Sequence, residues 1–176
     1  NSWGRFSENN ISKTCMIFIN KEKYPFLSSH EIKGTVVIPI VMANEWCLRI
    51  AACLYPDKEV IGTKNLKVLK GILLENFEKE GYWLIINFKE IKNKEKILLD
   101  FEIKITDSIK SYSLTVELDV KSPDTKYLKT NLEDYNLDAW NLDFQKIYNE
   151  ELFHGKDFQV LQELKGISKN SCIATL

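Results

Sequence analysis

The chain has 176 residues, 24 of them Lys or Arg and 25 Asp or Glu, a formal charge of −1, and a length suited to one medium domain or one domain plus part of another. A hydrophobic share of 44% with 28% charged residues belongs to a folded globular protein and excludes general disorder. The balanced charge offers no electrostatic case for a nucleic acid or an anionic membrane, and neither is expected as a partner.

The N-terminal Asn-Ser-Trp-Gly-Arg-Phe has no initiator Met and no signal-peptide pattern, so the chain is expected to be a piece of a longer polypeptide. Thr14 to Asn20 is short, apolar and partly β-branched, which predicts a strand. The longest fully apolar run, Val36 to Ala43, is far too short to span a bilayer. Ile40 to Leu54 predicts a helix apolar nearly all round, hence buried. Pro39 suits its first turn and Pro56 stops it.

From Val60 to Val120 the period becomes two. Val60 to Leu74 is broken by Gly62 and Gly71, and Tyr82 to Ile91 follows a polar turn. Lys96 to Thr106 sets Phe101, Ile103 and Ile105 on one face, and Ser111 to Val120 alternates at Tyr112, Leu114, Val116, Leu118 and Val120. Alternation of this kind gives one buried and one wet face, as in an antiparallel sheet, and the short polar turns (EKEG, KNKE and DSIK) suit a meander. One buried helix with several antiparallel strands predicts an α+β hot-dog fold, a curved antiparallel sheet wrapped around a central buried helix. A β-sandwich competes, but it leaves the apolar helix without a place.

Residues 1–122 are thus expected to form this N-terminal unit. Residues 123–143, polar and carrying Pro123, read as a linker with partial order from Tyr135 and Trp140. Residues 144–176 read as the start of a second, truncated unit, with Phe144, Ile147, Tyr148 and Leu152 at helical spacing and two short strands near 160–167 and 171–176.

Cys15, Cys47, Cys53 and Cys172 form no CxxC pair, and neither histidine is spaced with them as a zinc ligand, so no metal site is expected. Cys47 and Cys53, on the apolar helix, are expected to be buried thiols. Reduced cysteines point to a cytoplasmic protein.

Only two histidines occur, and the first, His30, stands just before a β-branched run that ends in Pro39. A lone histidine there is ordinarily structural or solvent-facing; an imidazole also suits proton transfer near neutrality. The stretch FLSSHEIKGTVVIP followed by IVMANEW resembles the dehydratase domains of modular polyketide synthases and related polyunsaturated fatty acid synthases. Their first hot-dog half carries His-x3-Gly-x4-Pro, matched here by His30, Gly34 and Pro39, after Phe26 and Leu27 and before Glu45. Their second half opens with Tyr/His-Gly-Pro-x-Phe-Gln, which LFHGKDFQ matches at His154, Gly155, Phe158 and Gln159, with Lys156 where proline is usual.

The resemblance implies elimination of water from a 3-hydroxyacyl thioester held on the phosphopantetheine of an acyl carrier protein, with no metal or redox cofactor. His30 would be the base. Gly34, Pro39, Phe158 and Gln159 would contact substrate, with a backbone N–H of the motif on the thioester carbonyl. In that family the second catalytic group is an Asp on the helix of the second half, and this chain ends before that position. Glu45 has two readings: a catalytic carboxylate, as in stand-alone single hot-dog dehydratases, or an i,i+4 partner of Arg49. His154 reads as a turn or packing residue. Implied partners are the carrier protein, other synthase domains and a second copy of the chain in a homodimer. The alternative is a non-catalytic hot-dog that binds acyl groups or serves as a scaffold. A hot-dog thioesterase fits poorly, because such enzymes place a carboxylate where this motif places His30.

Overall fold

A computed structural model of the chain describes residues 13–91, 96–106, 109–120, 137–139, 143, 146–169 and 171–175. The last three period-two segments pair in chain order as a meander, but the first pairs with the last of them instead of joining its neighbour across the EKEG turn. Strand β1 is Lys13–Ile19, β2 Glu31–Ile32 and β3 Thr35–Val37; helix α1 is Ile40–Leu54; β4 is Lys58–Val68, β5 Leu73–Leu74, β6 Tyr82–Ile91, β7 Ile97–Ile105 and β8 Tyr112–Val120. Five of these strands form an antiparallel sheet in the order β1-β6-β7-β8-β4. In its register Phe101 lies opposite both Phe88 and Leu114, so all three side chains share the inner face, and all three are buried. The ladder between β4 and β8 slips beside Gly62, where a bulge lets the edge strand bend.

Several expectations need correction. The first half was expected to form a single sheet, but β2, β3 and β5 make a separate small one, in that order. Pro39 has no N–H, so β3 ends there and turns into α1, and the chain returning after β4 brings Leu73 and Leu74 beside Val37 and Val36. The helix, expected to be enclosed all round, is buried along one stripe only. Ala43, Trp46, Cys47, Ile50 and Ala51 face the sheet, whereas Val41 is 63% exposed. Cys53 lies on the open side and is exposed; of the two helix thiols only Cys47 is buried. Burial pushes the Cys47 thiol far above its ordinary value, which makes it inert.

Pro39 is the residue that caps α1, with φ −62° and ψ 138°, and its carbonyl accepts the N–H groups of Met42 and Ala43. The start of the helix is tied to the sheet by one side chain. Tyr112, fully buried on β8, donates its hydroxyl proton to the carbonyl of Ile38 at 2.8 Å and accepts the N–H of Ile72 at 3.2 Å. A third bond, from the N–H of Ile38 to the carbonyl of Ile72, closes the ring.

Beyond the first unit, a five-residue π-helical turn at Ile147–Glu151 stands where a longer helix was expected. It is followed by a 3-10 turn at Lys156–Phe158 and the hairpin of β9 (Glu163–Ile167) and β10 (Cys172–Thr175). The N-terminal segment, Phe144, the KNKE turn and most of the expected linker, including Pro123, Tyr135 and Trp140, lie outside the described residues.

Tyr112→Phe keeps the ring but strands the Ile38 carbonyl and the Ile72 N–H in the core. A loss of about 1–3 kcal/mol in urea unfolding is expected; an unchanged midpoint would show that the hydroxyl carries no load.

Candidate functional site

The site grows from the segment between β1 and α1. Pro25–Ser29 forms a 3-10 turn, and the N–H of His30 closes it on the carbonyl of Leu27 at 2.9 Å. The β2–β3 hairpin then reverses the chain through Lys33 and Gly34, at φ 52° and 78°. Two successive positive φ values define the two-residue turn that matches strand twist, and glycine reaches its second position without strain. The reversal brings Val37 back beside His30. Their backbones bond, N–H of Val37 to the carbonyl of His30 at 3.0 Å, and the His30 Nδ1 lies 2.7 Å from the Val37 carbonyl oxygen.

That second contact fixes the chemistry. A carbonyl can only accept, so Nδ1 carries the hydrogen and Nε2 keeps its lone pair. The β-branched run after the histidine thus supplies the carbonyl that selects the tautomer. His30 is only 9% exposed. Burial holds its pKa below the ordinary 6.5; the Val37 bond acts in the opposite sense, and the charge of His154 lowers it further. The resident state at neutral pH is an uncharged imidazole with Nε2 free to take a proton.

The C-terminal motif completes the enclosure. His30 and His154 form an antiparallel β-bridge, and the Gly155 N–H donates to the Ser29 carbonyl at 2.6 Å. A Cβ at Gly155 would lie 2.9 Å from the Cα of Ser29 and 3.1 Å from its oxygen, so only glycine admits this approach. The Ser29 hydroxyl donates to Asp157 at 2.7 Å. Three rings then surround the His30 imidazole: Phe153 at 4.9 Å, Phe158 at 5.3 Å and His154 at 5.6 Å between centroids. Phe26 extends this wall by packing on Phe158.

Of the residues singled out in the sequence, His30 and Phe158 meet. Gln159 donates its amide to the His154 carbonyl at 3.1 Å and braces the turn. Gly34 sits at the exposed hairpin tip, and Pro39 caps the helix. Glu45 is bonded to Arg49 at 2.6 Å on the outer side of α1, where both line a cavity of about 430 Å³ with Phe26, Met42 and Trp46. Among the described residues no carboxylate is bonded to His30, and no cluster of His, Cys, Asp and Glu could hold a metal. Sequence reasoning missed Val37 and Phe153, and it gave His154 no part in the site. Two aromatic residues bracketing the second histidine were the available signal.

No protein-family model and no curated protein matches the sequence. Among solved structures, the chain is similar to the dehydratase domain from the CurF module of the curacin polyketide synthase, with a TM-score of 0.72 and 16% identity over 92% of this chain and 60% of that one. It is also similar to a dehydratase of the borrelidin and fluvirucin polyketide synthases, at a TM-score of 0.65 and 16% identity, covering 96% of this chain and 60% of that one. Two inactive mutants of the CurK dehydratase match at a TM-score of 0.64, one with an aspartate replaced by asparagine and one with a histidine replaced by phenylalanine. The fold is therefore a hot-dog, of the kind found in polyketide synthase dehydratase domains. The chain spans about 60% of the length of these structures.

Gly155→Ala is expected to push the C-terminal motif off Ser29. Ring-to-ring NOEs between His30 and Phe158 should vanish while those between Phe88 and Phe101 persist. Retention of the His30–Phe158 NOEs would show that the close approach is not required.

Proposed function

We propose that this chain is part of a dehydratase domain that removes water from a 3-hydroxyacyl thioester carried on the phosphopantetheine of an acyl carrier protein. The observation that carries this reading is His30 itself: buried, neutral, held as the Nδ1–H tautomer by the Val37 carbonyl, and walled by aromatic rings. In the reaction Nε2 takes the proton from the carbon next to the thioester carbonyl. The electrons left behind form the carbon–carbon double bond, and the β-hydroxyl departs with a proton from an acid as water.

The acid is an Asp of a second hot-dog half, outside these residues. The inactive histidine and aspartate mutants of the CurK dehydratase support a reaction of two such groups. Charge on the thioester oxygen is met by backbone N–H groups at the start of α1, just past Pro39, where the helix dipole favours it. Phe158 forms the wall against which the acyl group lies, and Gly34 and Gln159 hold the backbone around it. No metal or redox group takes part.

The partners are the carrier protein and neighbouring synthase domains, in a cytoplasmic setting; no helix among the described residues is long and apolar enough to cross a membrane. Pairing with a second copy draws support from β4, an edge strand with Ile61, Leu66 and Val68 exposed.

His30→Ala in the parent protein should lower dehydration of a 3-hydroxyacyl thioester by about 100-fold or more, since a positioned acid–base group contributes at least that. Turnover above about a tenth of wild type would sink the assignment. The pH profile gives a second check. A base whose pKa is held below 6.5 stays unprotonated into mild acid, so the acid limb of kcat/KM should fall below that value, and a limb above it would contradict the burial argument.

A non-catalytic acyl-binding or scaffolding hot-dog remains the second reading, favoured by one observation: the absence of a carboxylate bonded to His30 among the described residues. Thioester binding with no turnover in the parent protein would select it.

A further inference from the structure

The two histidines of this chain are far apart in sequence and touch in the fold. Their backbones form a β-bridge and their rings stack, 5.6 Å between centroids and 29° between planes. Phe158 lies against both, at 5.3 Å from the His30 ring and 6.0 Å from that of His154, and Phe153 lies 4.9 Å and 5.1 Å from the same two. With the two rings stacked and His30 buried, charge on one imidazole is felt by the other.

We propose that His154 is a positioning residue for His30: its ring stacks on the imidazole, and a charge on it opposes a charge on His30, which keeps Nε2 of His30 unprotonated and free to meet the substrate proton. The inference rests on the dehydratase reading for its purpose, but the pairing itself is a property of the folded chain.

The other charged groups on the packed elements are disposed otherwise. Glu31 and Lys33 belong to the exposed β2–β3 hairpin, Lys156 is exposed, and Asp157 is taken by the Ser29 hydroxyl. The Nδ1–H of the imidazole is held by the Val37 carbonyl. Among the described titratable groups, His154 is the one whose charge acts on His30. Burial works in the same direction, because it too disfavours the charged ring of His30.

With two histidines in the chain, histidine-selective NMR resolves two imidazoles and follows each through a pH titration. In the wild type the His30 curve should be broadened by the charge of its neighbour. Replacing the partner by an uncharged ring, His154→Phe or His154→Tyr, retains the stack and removes the charge. The His30 curve should then narrow to a single step and move to higher pH by about 0.5 to 2 units, the effect of a like charge at this separation between the dielectric of water and that of a protein surface. The acid limb of turnover in the parent protein should move the same way.

An unmoved His30 titration in either variant, with the chain still folded by its amide spectrum, overturns the proposal. If the Phe variant does not fold, the Tyr variant decides by the same criterion. A shifted titration in a parent protein without dehydratase turnover upholds the pairing and counts against the assigned reaction alone.

Discussion

The closeness with which helix α1 can lie on its sheet governs everything else. Ala43, Cys47 and Ala51 recur one turn apart and are fully buried, so the helix presents its smallest side chains where the sheet comes nearest. Trp46 and Ile50 fill the flanks. From the other side, Phe88, Leu99, Phe101, Leu114 and Val116 project from the central strands into the same core. Protein interiors are packed as tightly as organic crystals, so a larger residue at any of the three small positions would have to move the helix or the sheet.

With the helix placed, its first residue is placed too, and the constraint passes back along the chain. Pro39 caps α1, and the hydroxyl of Tyr112 grips Ile38, so the strand just before the helix cannot drift. Val37 is thereby fixed, and with it the carbonyl that holds Nδ1 of His30. The tautomer of the proposed base is in this sense set by core packing several residues away. A rigid shell of this kind is what an acid–base group needs, since small misplacements at a reacting atom are costly in rate.

The C-terminal motif contributes by contact more than by secondary structure. Its π-turn and 3-10 turn are short, and its connection to the first unit near His30 runs through Gly155, the Ser29–Asp157 bond and the ring stack. Those few contacts change the surroundings of His30 from a loop histidine to an enclosed one. The chemical character of the site therefore depends on a meeting between two segments, neither of which contains a site alone.

The boundaries of α1 and of β6, β7 and β8 were legible because each follows from a local periodicity, 3.6 in Ile40–Leu54 and two in Tyr82–Ile91, Ile97–Ile105 and Tyr112–Val120, whereas the segment expected at Val60 to Leu74 divides into β4 and β5. The hot-dog architecture followed from that content, and His30, Gly34 and Pro39 stood out through spacing along one segment. Hydropathy could not tell which face of an apolar helix the sheet would cover, and so Cys53 was expected inside and lies outside. Nor could it show that Val36 and Val37 would pair with Leu73 and Leu74 in a sheet of their own, because that choice depends on where the chain returns after β4. Glu45 was left between two roles by its position on the helix; the fold sets it against Arg49 on the outer face. The state of His30 was least accessible of all. Its sequence neighbours could name an imidazole, but its tautomer comes from a carbonyl across a hairpin and its dryness from rings at the far end of the chain. Local sequence determines which elements form, because propensity and periodicity act between near neighbours. Only tertiary structure brings together groups distant in sequence, and the readiness of His30 to take a proton is the product of such a meeting.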